Sequence, residues 1–233
     1  MRETIYEKKY SGEFFVPGIS PKIIEEEHFE RYKFAAKYAH GKRILDIACG
    51  VGYGSKILIE AGASSVLGCD ILEDNIKNAI DQYKSDNLEF KVKDATKPLL
   101  EGKFDLIACF ETIEHIDDFK TTLNNFYESL MPDGQLIISS PNRKITEPYL
   151  GPNDRTSTYH VREFTINEFH AHLIEHGFKN IELYGQRQQR VFSYPFFEKH
   201  YKRIFKPSRK ASPKVEPSKN NLEPQYFVMI GSR

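Results

Sequence analysis

Residues Arg43-Ile44-Leu45-Asp46-Ile47-Ala48-Cys49-Gly50-Val51-Gly52-Tyr53-Gly54 constrain the fold of this chain more than any other stretch. They read as a short apolar strand with an acidic residue, a glycine-rich turn and the start of a helix. Backbone approaches a ligand closely only where side chains are absent, and turns with positive φ favour glycine. Amides at the following helix N-terminus can then hold polar ligand atoms. A dinucleotide-binding fingerprint needs G-x-G-x-x-G/A. Counted from Gly50, its third small position is Ser55, so that spacing fails. Asp46, four residues before Gly50, would also repel a pyrophosphate.

Downstream, apolar strands alternate with helices. The pattern predicts strands over 44–48, 65–71, 88–92, 104–110, 135–139, 180–184 and 226–231. Between them it predicts helices over 53–61, 73–83, 119–131 and 165–176. Such alternation specifies a mostly parallel sheet with helices on both faces, with ligands beyond the carboxyl ends of the strands. Ahead of it, Ser20-Pro21 reads as an N-cap followed by a first-turn proline, opening a helix that runs to about Ala39. Glu25, Glu26 and Glu27 suit the positive end of that helix.

The pattern D-x-x-x-G-x-G-x-G at Asp46–Gly54 resembles motif I of the class I S-adenosylmethionine (SAM) methyltransferases. The resemblance implies a Rossmann-like α/β fold, a seven-stranded mostly parallel sheet and an N-terminal helical cap. It also implies SAM as cofactor and S-adenosylhomocysteine (SAH) as product. Asp46, Ala48, Gly50 and Gly52 would then surround SAM. Asp70, at the end of the second strand, would meet its ribose, with Ile71 beside it among the cofactor-binding residues. Asp94 and Ala95, after the third, would meet its adenine amino group. A carboxylate at a strand end can accept bonds from both ribose hydroxyls, in NAD enzymes too, so Asp70 alone does not choose the cofactor. An isolated Asp94 is also a common turn residue.

The stretch Phe104-Asp105-Leu106-Ile107-Ala108-Cys109-Phe110-Glu111-Thr112-Ile113-Glu114-His115-Ile116 narrows the resemblance. It is similar to the O-methyltransferase branch containing ubiquinone-biosynthesis and sugar methyltransferases, and it lacks the N-P-P-Y or D-P-P-Y signature of base N-methylation. The match spans residues of about 42–142. Gly12-Glu13-Phe14-Phe15-Val16-Pro17, Glu27-His28-Phe29-Glu30-Arg31-Tyr32, Ser140-Pro141-Asn142-Arg143 and Tyr159-His160-Val161-Arg162-Glu163-Phe164 resemble methyltransferases found with bacterial glycan-assembly enzymes. O-methylation of a small-molecule hydroxyl, a sugar or glycan precursor, is therefore the expected activity. The alternatives are a quinone or phenol acceptor, an RNA acceptor and a non-catalytic SAM-binding role.

An alcohol needs a base as its new bond forms, and histidine suits that task near neutral pH. His115, just past the fourth strand, and His160, after the fifth, are the candidates. Glu111 and Arg31 are further cofactor candidates, Arg31 for the SAM carboxylate or an acidic acceptor. Glu111, Glu114, Asp117 and Asp118 could hold a hard cation, but acids at a helix start explain them as well, and no metal is expected.

Organisation is expected as a cap segment over 1–41, a SAM-binding core over 42–191, an aromatic and basic insertion over 192–224, partly disordered, and a final strand over 225–233. Phe192, Tyr194, Phe196, Phe197 and Tyr201 are candidates for an acceptor lid or a dimer contact. Lys+Arg and Asp+Glu balance at 33 each among 233 residues, which gives no general attraction to nucleic acid. Cys49, Cys69 and Cys109 fall in or beside apolar strands, matching neither a disulfide framework nor a metal knuckle. No stretch approaches a membrane span, and residues 1–9 lack the apolar core of a leader, so a cytoplasmic protein is expected.

Overall fold

The computed structural model describes residues 15–147, 160–190, 211–219 and 221–233. The expectations for residues 1–14, Tyr159, and the aromatic and basic residues from 192 to 210 lie outside these. Helix α1 (Lys22–Ala36) precedes β1 (Arg43–Ile47), α2 (Tyr53–Glu60), β2 (Ser65–Asp70), α3 (Glu73–Tyr83), β3 (Leu88–Val92) and β4 (Phe104–Cys109). A single 3-10 turn (Ile113–His115) follows, then α4 (Phe119–Ser129), β5 (Leu130–Pro141), the short α5 (Arg143–Thr146) and α6 (Ile166–Glu175). The chain closes with β6 (Lys179–Gln189), β7 (Glu216–Pro217) and β8 (Glu223–Ser232).

These strands form one eight-stranded sheet in the order β3-β2-β1-β4-β5-β8-β6-β7. The first five are parallel to their neighbours, whereas β8 runs antiparallel to both β5 and β6. Strand order reverses between β1 and β4, so the crevice for a ligand opens above their carboxyl ends. Side chains alternate across the pleat. Ile44, Leu106, Ala108, Val228 and Ile230 join the core under α1, α2 and α3. Leu45, Ile47, Ile107, Cys109, Phe227 and Met229 join the core under α4 and α6. Both faces are covered, which explains the nearly continuous apolar strands.

Several boundaries differ from the sequence reading. Pro21, not Ser20, occupies the cap position of α1, and the Ser20 hydroxyl accepts the Val16 N–H at 2.9 Å. Helix α4 stops at Ser129, and β5 begins at Leu130 because Leu130 pairs with Phe104 before the register shifts. The predicted seventh strand is β8, and the extra strand β7 comes from the segment expected to stay loose. Residues Glu216 and Pro217 pair with Tyr184 and Gly185, and Val215 is buried against the core beneath. The helix expected over 165–176 is α6, and Thr165 caps it through a reciprocal capping box with Glu168. No helix of the described residues is long and apolar enough to cross a membrane.

Candidate active site

The glycine loop grows directly out of β1. Asp46 lies between Gly68 on β2 and Ala108 on β4. Its carboxyl is fully buried and receives the Tyr32 hydroxyl at 2.9 Å and the Ser55 hydroxyl at 2.5 Å. Burial pushes its pKa up to about 7 despite both hydrogen bonds. Asp46 therefore ties α1 and the first turn of α2 to the sheet beneath the loop. Ala48, Gly50 and Gly52 all have positive φ, at 59°, 56° and 87°. A Cβ on Gly50 would meet nothing within 4 Å, whereas one on Gly52 would strike Ala79 at 2.6 Å and Phe90 at 2.9 Å. Gly50 thus borders open space, and Gly52 allows close packing behind the loop.

Asp70 closes the next strand. It accepts the Gly50 N–H at 2.9 Å, the Leu72 N–H at 2.9 Å and the Asn75 amide at 3.3 Å. The same carboxylate thus holds the loop of the neighbouring strand in place. Ile71 beside it is 64 % exposed, an apolar surface at the crevice rim. Asp94 takes both Thr96 donors, backbone at 2.9 Å and hydroxyl at 2.7 Å, on one oxygen, which lowers its pKa. The Ala95 carbonyl accepts the Asn125 amide at 3.0 Å, fixing this turn against α4.

Arg31 is buried under the cap, 1 % exposed. Its Nη2 lies 3.4 Å from Glu111 Oε2, and its guanidinium sits 4.9 Å from the centre of the Tyr226 ring. Nε and Nη1 are buried without hydrogen-bond partners. Two unsatisfied donors on a buried cation are costly unless a ligand anion meets them. Glu111 in turn accepts the Ser139 hydroxyl at 2.6 Å and adopts φ 47°, a left-handed conformation rare outside glycine. Burial raises its pKa, with Arg31 opposing. Ala48 and Glu111 thus hold strained backbone just past β1 and β4, on either side of the crevice, where strain commonly marks function.

The fourth group lies one turn further. The His115 and His160 rings meet edge to face with centroids 4.8 Å apart. His160 Nδ1 pairs with Glu163 Oε1 at 2.7 Å, and Thr146 donates its hydroxyl to the other Glu163 oxygen. The Glu114 carbonyl accepts the N–H groups of Val161 and Arg162 at 3.0 and 3.1 Å, which seats the His160 loop on the 3-10 turn. The Glu114 side chain is 1 % exposed, and its Oε2 has no hydrogen-bond partner. Burial, then the Glu111 charge, holds the Glu114 pKa well above the carboxylate range. The expected acidic cluster separates: Asp118 caps α4 through the Thr121 N–H, Glu111 faces Arg31, and Glu114 turns to the histidines.

Tyr32, Ser55, Ser139 and Tyr226 complete the site without having been singled out for it by sequence. Ser55 stood out only as a break in a dinucleotide pattern, and Glu163 lay within one helical turn of His160. Cys49, Cys69 and Cys109 are buried and unpaired, and burial raises each thiol, Cys69 to about 12.

Residues 23–183 match the protein family described as "Methyltransferase domain". A probable S-adenosylmethionine-dependent methyltransferase of Mycolicibacterium smegmatis is 27 % identical over 174 residues, 72 % of this chain and 65 % of that protein. A ubiquinone biosynthesis O-methyltransferase of Idiomarina loihiensis is 29 % identical over 115 residues, 48 % of this chain and 47 % of that protein. The chain therefore spans less than two thirds of the length of either relative. In fold it is similar to the N-methyltransferase NodS of Bradyrhizobium japonicum in complex with SAH. That match has a TM-score of 0.61 at 15 % identity and covers 91 % of this chain and 87 % of the other.

Proposed function

We propose that the chain, a member of the methyltransferase-domain family, is a SAM-dependent methyltransferase that methylates a hydroxyl of a small molecule, a sugar or glycan precursor. One observation carries the acceptor chemistry. A histidine pair, one member joined through Nδ1 to the buried Glu163 carboxyl, stands at the same sheet edge as the glycine loop and the strained Glu111.

The residues present fit SAM. Open space at Gly50 gives the cofactor room, and the exposed Ile71 offers its adenine an apolar surface. The unsatisfied Nε and Nη1 of Arg31 suit the cofactor's carboxylate, with Glu111 beside it for the ammonium group. Asp70 would receive the ribose hydroxyls and Asp94 the adenine amino group, each while still bracing its own turn. When bound, SAM supplies a methyl group on a positively charged sulfur. The chain's part is to align the acceptor oxygen, exclude water and take a proton. An imidazole nitrogen of His115 accepts the hydroxyl proton as the oxygen attacks. Glu163 holds His160 Nδ1 protonated, and His160 steadies the His115 ring from the side.

The relationship to ubiquinone biosynthesis O-methyltransferases supports a phenolic acceptor as a second reading. A phenol ionises more easily than an alcohol and depends less on His115. The test is transfer of isotope-labelled methyl from SAM into a fractionated cell extract, with His115→Ala in parallel. Label in nucleotide-sugar or glycan fractions, lost in the variant, is the expected result. Label in quinone fractions that survives the substitution would replace the acceptor class. Label in RNA would do the same, and no label despite SAM binding would argue for a non-catalytic role.

A further inference from the structure

We propose that Glu114, His115 and His160 form a binding site for one divalent transition-metal ion of the zinc class. A ligand atom from each of these side chains lies within 4.8 Å of the other two. Two imidazoles on one ion, each bonded at about 2.1 Å and near the tetrahedral angle, place their ring centres roughly 5 Å apart. The His115 and His160 centroids are 4.8 Å apart, at an interplanar angle of 85°. Edge-to-face packing alone would also give that spacing, so two further observations decide the matter.

The first is the second layer of contacts. A metal-bound imidazole usually gives its other N–H to a carboxylate, which sets the tautomer and orients the ring. His160 Nδ1 is 2.7 Å from Glu163 Oε1, and the buried Glu163 is itself held by Thr146. The second is Glu114. Its carboxyl is buried with an oxygen within 4.8 Å of a nitrogen of each ring, while Oε2 has no hydrogen-bond partner. A buried carboxylate oxygen without a donor calls for a cation or a proton. Sequence reading placed Glu114 in an acidic group and expected no metal there. The fold instead disperses those acids and replaces them with two imidazoles. That donor set suits zinc, nickel or iron better than magnesium or calcium, which prefer oxygen.

Three protein ligands leave a position open on a tetrahedral ion. An acceptor hydroxyl there would ionise more readily and release its proton to solvent, and with the ion bound His115 would serve as its ligand in place of acting as the base. This consequence rests on the methyl-transfer reading, whereas binding of the ion does not.

The test uses the full-length protein, stripped with chelator and dialysed, then titrated with Zn2+ by calorimetry and with Co2+ by visible absorption. One equivalent should bind, with cobalt bands of a nitrogen and oxygen site. Glu114→Gln and His160→Ala should each weaken binding more than tenfold, and Glu163→Gln about ten- to a hundredfold. SAM binding, measured on each variant, reports that the fold persists. No stoichiometric binding by protein that still binds SAM would overturn the site. So would binding that all three substitutions leave unchanged. Loss of turnover in His115→Ala without any metal binding would overturn the site and keep the base. Metal binding lost in the variants, with turnover indifferent to chelator, would establish the site and detach it from the acceptor.

Discussion

Asp46 is a carboxyl with no route to water, and its titration follows from that position. Its pKa of about 7 in the folded chain exceeds the ordinary carboxylate value because burial outweighs the Tyr32 and Ser55 bonds. Between those two values the folded chain binds more protons than the unfolded one, so stability falls as pH rises. The contribution is complete below the unfolded pKa and is lost through neutrality. Asp46→Asn removes the titrating group. Against that variant, wild type should lose up to about 1.4 kcal/mol per pH unit between pH 4 and 7. Urea unfolding at several pH values reads the two slopes, and equal slopes would refute this account. Arg31 presents the opposite problem, a buried cation with donors to spare. Arg31→Met leaves Glu111 without its partner and the cofactor's carboxylate without a donor. SAM affinity should fall roughly ten- to a hundredfold, about 1.4–3 kcal/mol. Calorimetric titration with SAH measures it, and unchanged affinity would remove Arg31 from the site.

The strand-loop-helix element β1–α2 contains glycines with separate tasks, and substitution separates them. A Cβ on Gly54 would fall 2.0 to 2.3 Å from the Tyr32 ring, so Gly54→Ala must push α1 away from α2. Overpacking of this kind costs about 1–3 kcal/mol or more, visible as a lowered Tm. Gly50→Ala clashes with nothing, and its cost is the left-handed backbone alone, about 1–2 kcal/mol. It should keep the fold and lose most SAM binding, because the new methyl enters the space left for the ligand. Equal SAM affinity in Gly50→Ala and wild type would place the cofactor elsewhere. These elements were legible because local physics specifies them: apolar runs of strand length, small residues at turns, and Gly62 and Gly177 with positive φ after their helices. What the sequence hid was long-range. No local pattern shows that Arg31 turns inward, that the 3-10 turn binds the His160 loop, or that Leu130 pairs with Phe104 before the helix signal fades. Strand β7 escaped notice because Lys214, Glu216 and Lys219 read as solvated chain. Its order comes from one buried residue, Val215, and from pairing with the sheet edge.

At the scale of the molecule, the cap helix, the sheet and the insertion meet at one buried ion pair. Glu27 on α1 binds Arg187 on β6, both almost fully buried. Arg187 adopts φ 50°, donates its side chain to the Ala211 carbonyl at 2.9 Å and donates its backbone N–H to the Ser212 carbonyl at 2.9 Å. Gln186 beside it donates to the Glu27 and Pro213 carbonyls. Glu27 had looked like a charge suited to a helix start; its actual partner is 160 residues away. Removing one member of a buried pair strands the other, which costs about 3–5 kcal/mol, whereas replacing both with apolar residues is often near neutral. Arg187→Met should therefore destabilise strongly in urea unfolding, and Glu27→Leu with Arg187→Met should recover most of the loss. The consequence reaches the cofactor. Glu27 and Arg31 are four residues apart on α1, hence on one face and one turn from each other. A cap helix loosened at Glu27 displaces the guanidinium at Arg31. Arg187→Met should thus weaken SAM binding as well as stability, although Arg187 belongs to the far edge of the sheet, and the double variant should restore both together. Stability restored without affinity would show that the pair positions Arg31 through its charge, and affinity untouched in the single variant would show that cap and cofactor site are independent.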